Sequence, residues 1–125
     1  MAKRKSIHID GLSHQTAIPV ASRIGPLLVS SVISPVDPST SNVPAALDSQ
    51  VANIFRHIEK MLAAAGGNWS HVAKMEFWAP SAEARAVIDI PWVQRFPDPE
   101  SRPARHTHLG QGSALSASFM AYLPE

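Results

Sequence analysis

The sequence contains no cysteine, few charged residues and no apolar run near the ~20 residues that a bilayer crossing requires. The absence of cysteine excludes disulfides, thiolate metal sites and a cysteine nucleophile, and with them a secreted fold held together by disulfides. Charged residues make up 17% of the chain, and eleven Lys or Arg against ten Asp or Glu give a formal net charge of +1. We therefore expect neither a nucleic-acid partner nor a membrane partner. Because the first residues also lack the hydrophobic stretch of a signal peptide, a cytoplasmic location is expected.

The chain is long enough for one hydrophobic core. Its 125 residues are 45% apolar, a ratio typical of globular proteins, and we expect a single domain over residues 1–125. The only basic cluster lies at residues 3–5, where a solvated terminus is the ordinary situation. Residues 1–5 are therefore expected to form a flexible tail.

Alternation of apolar and polar residues predicts strands at residues 6–10, 20–24, 27–32, 72–79, 105–109 and 114–122. Gly25-Pro26 joins the second and third of these tightly, and a glycine-rich turn at residues 110–112 predicts a closing hairpin of the last two. A long loop rich in Pro and Ser is expected at residues 33–44.

Two helices complete the pattern. Apolar residues at three- and four-residue spacing predict an amphipathic helix whose first turn holds Pro44 and which stops at Gly66. A second helix follows Ser81, with Pro91 expected to kink or break it near Ile90. The order βββαβαββ predicts an α+β fold, with one sheet and both helices packed on one face.

Several segments of the sequence occur in a combination that is characteristic of a known protein family. They are Gly-Pro-Leu-Leu-Val-Ser-Ser at residues 25–31, the Pro-rich loop, Gln50 opening a helix that ends in Ala-Ala-Gly, the strand at 72–77, and Pro-Ala-Arg at residues 103–105. Together they resemble the RidA/YjgF family of reactive-intermediate deaminases, from about residue 24 to the C-terminus. The resemblance implies a chorismate-mutase-like fold and a homotrimer with pockets between subunits. It also implies hydrolysis of an enamine or imine carboxylate to a 2-keto acid and ammonia, without a metal or organic cofactor.

The resemblance assigns three site residues directly. Arg105 matches the family arginine that binds the substrate carboxylate, and Ser31 matches the serine of a Ser-Gly strand motif. Thr107 falls where many members have a cysteine in the pocket. Arginine suits the first role because its planar guanidinium stays charged and can donate two parallel hydrogen bonds to a carboxylate.

Three further pocket positions depart from the family pattern. Val32 replaces the glycine after the serine, and Ile18 falls near the pocket tyrosine. Ser116 replaces the last-strand glutamate that, in the family's mechanism, handles the attacking water. These departures point to a specialised substrate rather than the usual small ones.

The predicted closing hairpin places its residues on two faces. Arg105 and Thr107 share one face, and the hairpin would bring Ser116 into a common cleft with them. His106 and His108 share the other face and could in principle chelate a metal, but no third ligand stands at a telling spacing. We therefore expect these histidines to be surface or subunit contacts, and no metal site.

Two functions follow. The first is an imine deaminase in which Arg105 holds the carboxylate of the substrate while Ser31 orients the nitrogen and the attacking water. The alternative is a non-catalytic trimer that binds a small carboxylate as a sensor or partner protein, which Ser116 in place of the glutamate favours. Endoribonuclease activity or inhibition of translation also accompanies this family, but the near-neutral charge argues against it.

Overall fold

The computed structural model describes residues 3–124, which form one six-stranded sheet and two helices. The strands are β1 (Arg4–Ile7), β2 (Ala21–Ile24), β3 (Leu27–Ser30), β4 (Val72–Ala79), β5 (Ala104–Leu109) and β6 (Ser116–Tyr122). The helices are α1 (Leu47–Ala64) and α2 (Glu83–Arg95), and a short 3-10 helix (Trp69–His71) precedes β4. The predicted α+β fold and its element order βββαβαββ are confirmed.

The spatial order of the strands is β1-β2-β3-β6-β4-β5. β4 pairs with β5 in parallel and with β6 antiparallel, so it lies between them. The predicted hairpin of β5 and β6 is therefore wrong. A helical crossover such as α2 allows two successive strands to pair in parallel, and this pairing places β5 at the edge of the sheet, outside β4.

The two faces of the sheet differ in burial. We call the face that packs against the helices the covered face and the other the open face. The covered face includes Leu28, Met75, Phe77, Ala117, Phe119 and Ala121, each of which is at most 4% exposed. A register irregularity between Val72 and Lys74 brings Val72 into the core, where the simple alternation predicts Ala73.

Both helices deviate from the sequence-based expectation in detail. α1 begins at Leu47, three residues after Pro44, and ends at Ala64, two residues before the predicted stop at Gly66, whose φ of +86° suits glycine. α2 continues through Pro91 without the expected break. Its buried residues are Ala84, Ile88 and Trp92, a four-residue spacing that leaves Ile90 exposed.

The basic residues near the N-terminus are part of the sheet. Arg4 and Lys5 lie in β1 and pair with Ile24 and Arg23 of β2, so the flexible-tail prediction is wrong for them. Backbone pairing with β2 orders these residues although their side chains are exposed. Residues 1 and 2 of the expected tail lie outside the described residues. Within residues 3–124, neither helix combines the length and apolar composition that spanning a membrane requires.

Candidate functional site

Arg105 lies on edge strand β5 with its guanidinium against α2. In the parallel register it lies beside Met75, so its side chain leaves the sheet on the covered face. The guanidinium lies 5.1 Å from the ring centroid of Trp92 and 6.0 Å from that of Phe77. The aromatic rings thus provide an apolar floor under a cation whose side chain is 18% exposed.

Two groups of α2 accept hydrogen bonds from this guanidinium. NH1 donates to Oδ1 of Asp89 at 2.7 Å, and NH2 donates to the carbonyl oxygen of Arg85 at 3.3 Å. The Asp89 side chain is 59% exposed. Exposed ion pairs contribute about 0–1 kcal/mol, so a ligand carboxylate can compete with Asp89 for the guanidinium.

Thr107 lies two residues farther along β5, on the same face as Arg105 and beside Phe77. Its side chain is half-buried. The alternation predicted from the sequence therefore brings Arg105 and Thr107 together as a first half-site at the β5 edge.

Ser31, Val32 and Ile18 form a second group around the end of β3. The Ser31 hydroxyl donates to the carbonyl oxygen of Pro19 at 2.7 Å, which links the segment that holds Ile18 to the end of β3. Ile18 is 50% exposed and Val32 is 54% exposed. These three residues make a second half-site with an apolar, open rim and one hydroxyl whose oxygen can still accept a hydrogen bond.

The two half-sites lie on opposite sides of the sheet centre. Strands β6 and β4 stand between β3 and β5, so three interstrand spacings, or about 14 Å, separate the strands that carry Ser31 and Arg105. One small carboxylate cannot bridge that distance. Within a single chain the structure does not bring the two half-sites together.

Ser116 lies on the other face from Arg105 and Thr107, which corrects the predicted common cleft. It pairs with Trp78 of β4 on the open face, whereas Arg105 and Thr107 lie beside the covered-face residues Met75 and Phe77. The prediction fails because β4 separates β5 from β6. Adjacent strands set which polar positions can meet, and β6 is adjacent to β4 rather than to β5.

The two histidines of β5 have a carboxylate neighbour that their own spacing in the sequence does not reveal. The parallel register places Glu76 of β4 beside His106, and Glu76 Oε2 lies 2.7 Å from His108 Nε2. This hydrogen bond is the main cause that lowers the pKa of the Glu76 carboxyl below its usual range. The signal in the sequence was the order strand–helix–strand, which pairs β4 with β5 in parallel.

A buried polar stripe on α1, also missed in the sequence, holds the loop at residues 33–44. Gln50 Nε2 donates to the carbonyl oxygen of Pro44, and Asn53 Nδ2 donates to that of Pro35 at 3.1 Å. His57 Nε2 lies 2.7 Å from the carbonyl oxygen of Val36, and burial lowers the pKa of this fully buried imidazole. The loop that follows the second half-site is therefore anchored by side chains of α1, in addition to the backbone bridge between Ile33 and Ala117 at its start.

Comparison with protein families gives one match. The family model described as Endoribonuclease L-PSP matches residues 16–110. That segment contains Ile18, Ser31, Val32, Arg105 and Thr107, and ends before Ser116. No curated protein sequence matches the chain.

Solved structures resemble the whole described fold at low sequence identity. RidA from an Antarctic Psychrobacter is 21% identical with a TM-score of 0.83, covering 95% of this chain and 99% of its own. The YjgF gene product of E. coli is 18% identical with a TM-score of 0.82, covering 94% and 98%. A protein described as a probable translation initiation inhibitor from Rhodopseudomonas palustris is 16% identical with a TM-score of 0.86, covering 98% and 100%. At these identities the likeness establishes the shared fold.

Proposed function

The chain belongs to the Endoribonuclease L-PSP family, also called the YjgF/RidA family, and on this premise we propose that it hydrolyses a small imine or enamine carboxylate to a 2-keto acid and ammonia. The observation that carries the proposal is the position of Arg105. Its guanidinium lies 5.1 Å from the ring centroid of Trp92 and is bonded to Asp89, whose side chain is 59% exposed and open to competition from a ligand. The substrate carboxylate would take the place of Asp89.

We propose that the site is completed between chains of a homotrimer. The Arg105 half-site and the Ser31 half-site lie too far apart to act together in one chain, with β6 and β4 between them. In a closed ring of identical subunits, one side of each chain meets the opposite side of the next. Such a ring brings Arg105 and Thr107 of one protomer towards Ser31 of its partner.

An apolar patch on the open face supports assembly of identical chains. We call it the open apolar patch: Ile24, Leu27, Met120 and Tyr122, which are 46%, 41%, 44% and 68% exposed. Ile24, Leu27 and Tyr122 occupy one row across β2, β3 and β6, and Met120 lies two residues from Tyr122. Contiguous apolar surface of this kind usually marks a contact with another protein, and further copies of this chain would cover it.

The proposed reaction depends more on the position of the substrate relative to the attacking water than on a strong base. Water adds to the electrophilic carbon of the C=N bond while the nitrogen takes a proton, giving a carbinolamine. The C–N bond then breaks, the nitrogen leaves as ammonia with a further proton, and the oxygen that came from water becomes the keto oxygen. Binding the carboxylate at Arg105 against an apolar floor would orient the carbon for attack and exclude other water.

Ser31 would serve as an acceptor. Its hydroxyl hydrogen is directed to the carbonyl oxygen of Pro19, which leaves the lone pairs of the oxygen for the imine N–H or the attacking water. Val32 and Ile18, both half exposed, would form an apolar rim and favour a side chain bulkier than that of the smallest imino acids. No metal or organic cofactor enters this proposal.

The alternative function is a trimer that binds a small carboxylate without turning it over. The observation in its favour is that Ser116, at the position expected for the catalytic glutamate, faces the open side of the sheet beside Trp78. A site that binds the substrate carboxylate but has no acidic residue to activate the attacking water is expected to bind the substrate without converting it efficiently.

Ammonia release from freshly generated 2-imino acids of increasing side-chain size tests the proposal. Wild type is compared with Arg105→Lys and with the matched control Arg102→Lys, whose arginine Nε donates to the carbonyl oxygen of Phe96. We expect turnover by wild type and the control, and loss in Arg105→Lys. Binding of the product 2-keto acid without turnover of any imine would favour the alternative, and equal turnover by all three proteins would contradict the role of Arg105.

A further inference from the structure

A cluster of two imidazoles and a carboxylate lies on the open face of the sheet, on the opposite face of β5 from Arg105 and Thr107. His106 and His108 are two residues apart on β5, and Glu76 lies across from them on β4. One ligand atom from each residue lies within 4.8 Å of both others. The two imidazole centroids are 4.0 Å apart.

We propose that Glu76, His106 and His108 bind a divalent transition-metal ion of the zinc class. Two imidazoles and one carboxylate are a ligand set that zinc accepts, with a water molecule or a small ligand in the fourth position. This open position distinguishes the site from a purely structural one, in which all four ligands come from the protein.

The geometry requires only small side-chain movements. Ligands around tetrahedral zinc, at about 2.0–2.1 Å from the ion, lie about 3.3 Å from one another. His108 Nε2 and Glu76 Oε2 are already 2.7 Å apart, so the ion would replace the hydrogen that they share. His106 is exposed and free to rotate towards the other two ligands.

Two neighbours of the cluster affect metal binding in opposite directions. The indole of Trp78 stacks on the His108 ring, with 5.2 Å between centroids and 9° between planes, which limits the rotation of that ligand. Lys74 lies two residues before Glu76, and its positive charge acts on that carboxylate. A cation bound at the cluster would be repelled by Lys74, so this side chain sets an upper limit on affinity.

A cobalt titration tests the site directly. Metal-free protein, prepared with a chelator, receives Co²⁺ while visible absorption is recorded, and Zn²⁺ is then added as a competitor. We expect one equivalent of Co²⁺ per chain, intense bands typical of four-coordinate cobalt, and displacement of those bands by zinc.

Four variants sharpen the test. Glu76→Gln and His106→Ala should each weaken Co²⁺ binding by about 100-fold or more, because even groups outside the ligand shell change affinity 10–100-fold. Lys74→Gln should strengthen binding. The control His8→Ala removes an exposed histidine of the N-terminal segment and should leave the titration unchanged.

Circular dichroism of each variant separates loss of ligand from loss of fold. No binding at 100-fold excess of Co²⁺ over protein would overturn the proposal, as would equal affinity in wild type and Glu76→Gln. Weaker binding in His8→Ala than in His106→Ala would place the metal elsewhere. None of these outcomes depends on deaminase activity.

Discussion

The two faces of the sheet present the same alternation of residues but have different surroundings. On β4, Met75 and Phe77 are fully buried beneath the helices, whereas Lys74 and Glu76 lie on the open face. The covered face is buried within one chain except at its β5 edge, where Arg105 and Thr107 are only half-buried. The open face carries an exposed apolar patch and a polar cluster, both of which have the features of surfaces that bind something further. Binding functions are therefore expected where apolar or polar groups of one chain remain exposed and can contact another molecule.

The largest expected difference between the faces is in stability. Phe77→Ala removes a fully buried ring that stacks on Phe55 at 6.3 Å between centroids, and should lower the free energy of unfolding by about 3–5 kcal/mol. Lys74→Ala, on the open face of the same strand, should change it by about 0.5 kcal/mol or less. Urea titration measures both. Similar losses in the two variants would contradict the assignment of faces.

The open apolar patch should control assembly. Tyr122→Asp places a charge beside Leu27 in the patch, and should convert a trimer of 13.5 kDa chains to monomers with an unchanged circular dichroism spectrum. Ile90→Asp is the control, because Ile90 is 61% exposed on α2, outside the patch. Light scattering gives the mass. A wild-type monomer, or a trimer that persists in Tyr122→Asp, would contradict the assembly proposed from this patch.

Substitutions at Arg105 and at Asp89 should change the affinity for a carboxylate ligand in opposite directions. Arg105→Lys keeps the charge but loses the planar fork, so affinity for a 2-keto acid should fall about 10–100-fold. Asp89→Asn removes the competing carboxylate and should raise affinity a few-fold, since the ion pair that it breaks is exposed. Calorimetry checks both. Weaker binding in Asp89→Asn would mean that Asp89 positions the guanidinium rather than competing with the ligand.

The smallest effect is expected at His57, behind the covered face. Burial lowers the pKa of this imidazole, and Lys60 and Arg56 lower it further, against the opposing effects of the hydrogen bond with the Val36 carbonyl and of Asp37. Below pH 6.5, the ordinary pKa of histidine, His57 is protonated in the unfolded chain but stays neutral in the folded chain. The free energy of unfolding should therefore decline as the pH falls from 6.5. His57→Gln keeps a donor for the Val36 carbonyl and should show a flatter profile between pH 6.5 and 5. Parallel profiles would show that another group titrates.

Local patterns in the sequence predicted much of this structure. The strand at 72–79 has the predicted bounds because alternation and Pro80 mark it, and Gly66 marks the turn that follows the last residue of α1, Ala64. Family motifs likewise led to the proposal of Arg105 and Ser31 as site residues without knowledge of the sheet order. Such signals lie within a few residues of the positions that they describe.

Features that depend on distant segments could not be predicted in the same way. Alternation shows that Ser116 and Arg105 each occupy one face of a strand, but not that β4 lies between those strands. Glu76 meets His108 only through the parallel register, thirty-two residues away. The burial of Asn53 could not be predicted, because its partner, the carbonyl oxygen of Pro35, belongs to a loop without periodicity.

Recovery of binding in mixed assemblies tests most directly whether the site is shared between chains. Arg105→Glu and Val32→Glu each place a negative charge in one half-site and should abolish binding of a 2-keto acid. If the site joins Arg105 of one protomer to the Ser31 half-site of its partner, refolding the two variants together in equal amounts should restore binding to about a quarter of all sites, since two adjacent chains must each supply an intact half. Mixed assemblies that form but bind no ligand would contradict the shared site.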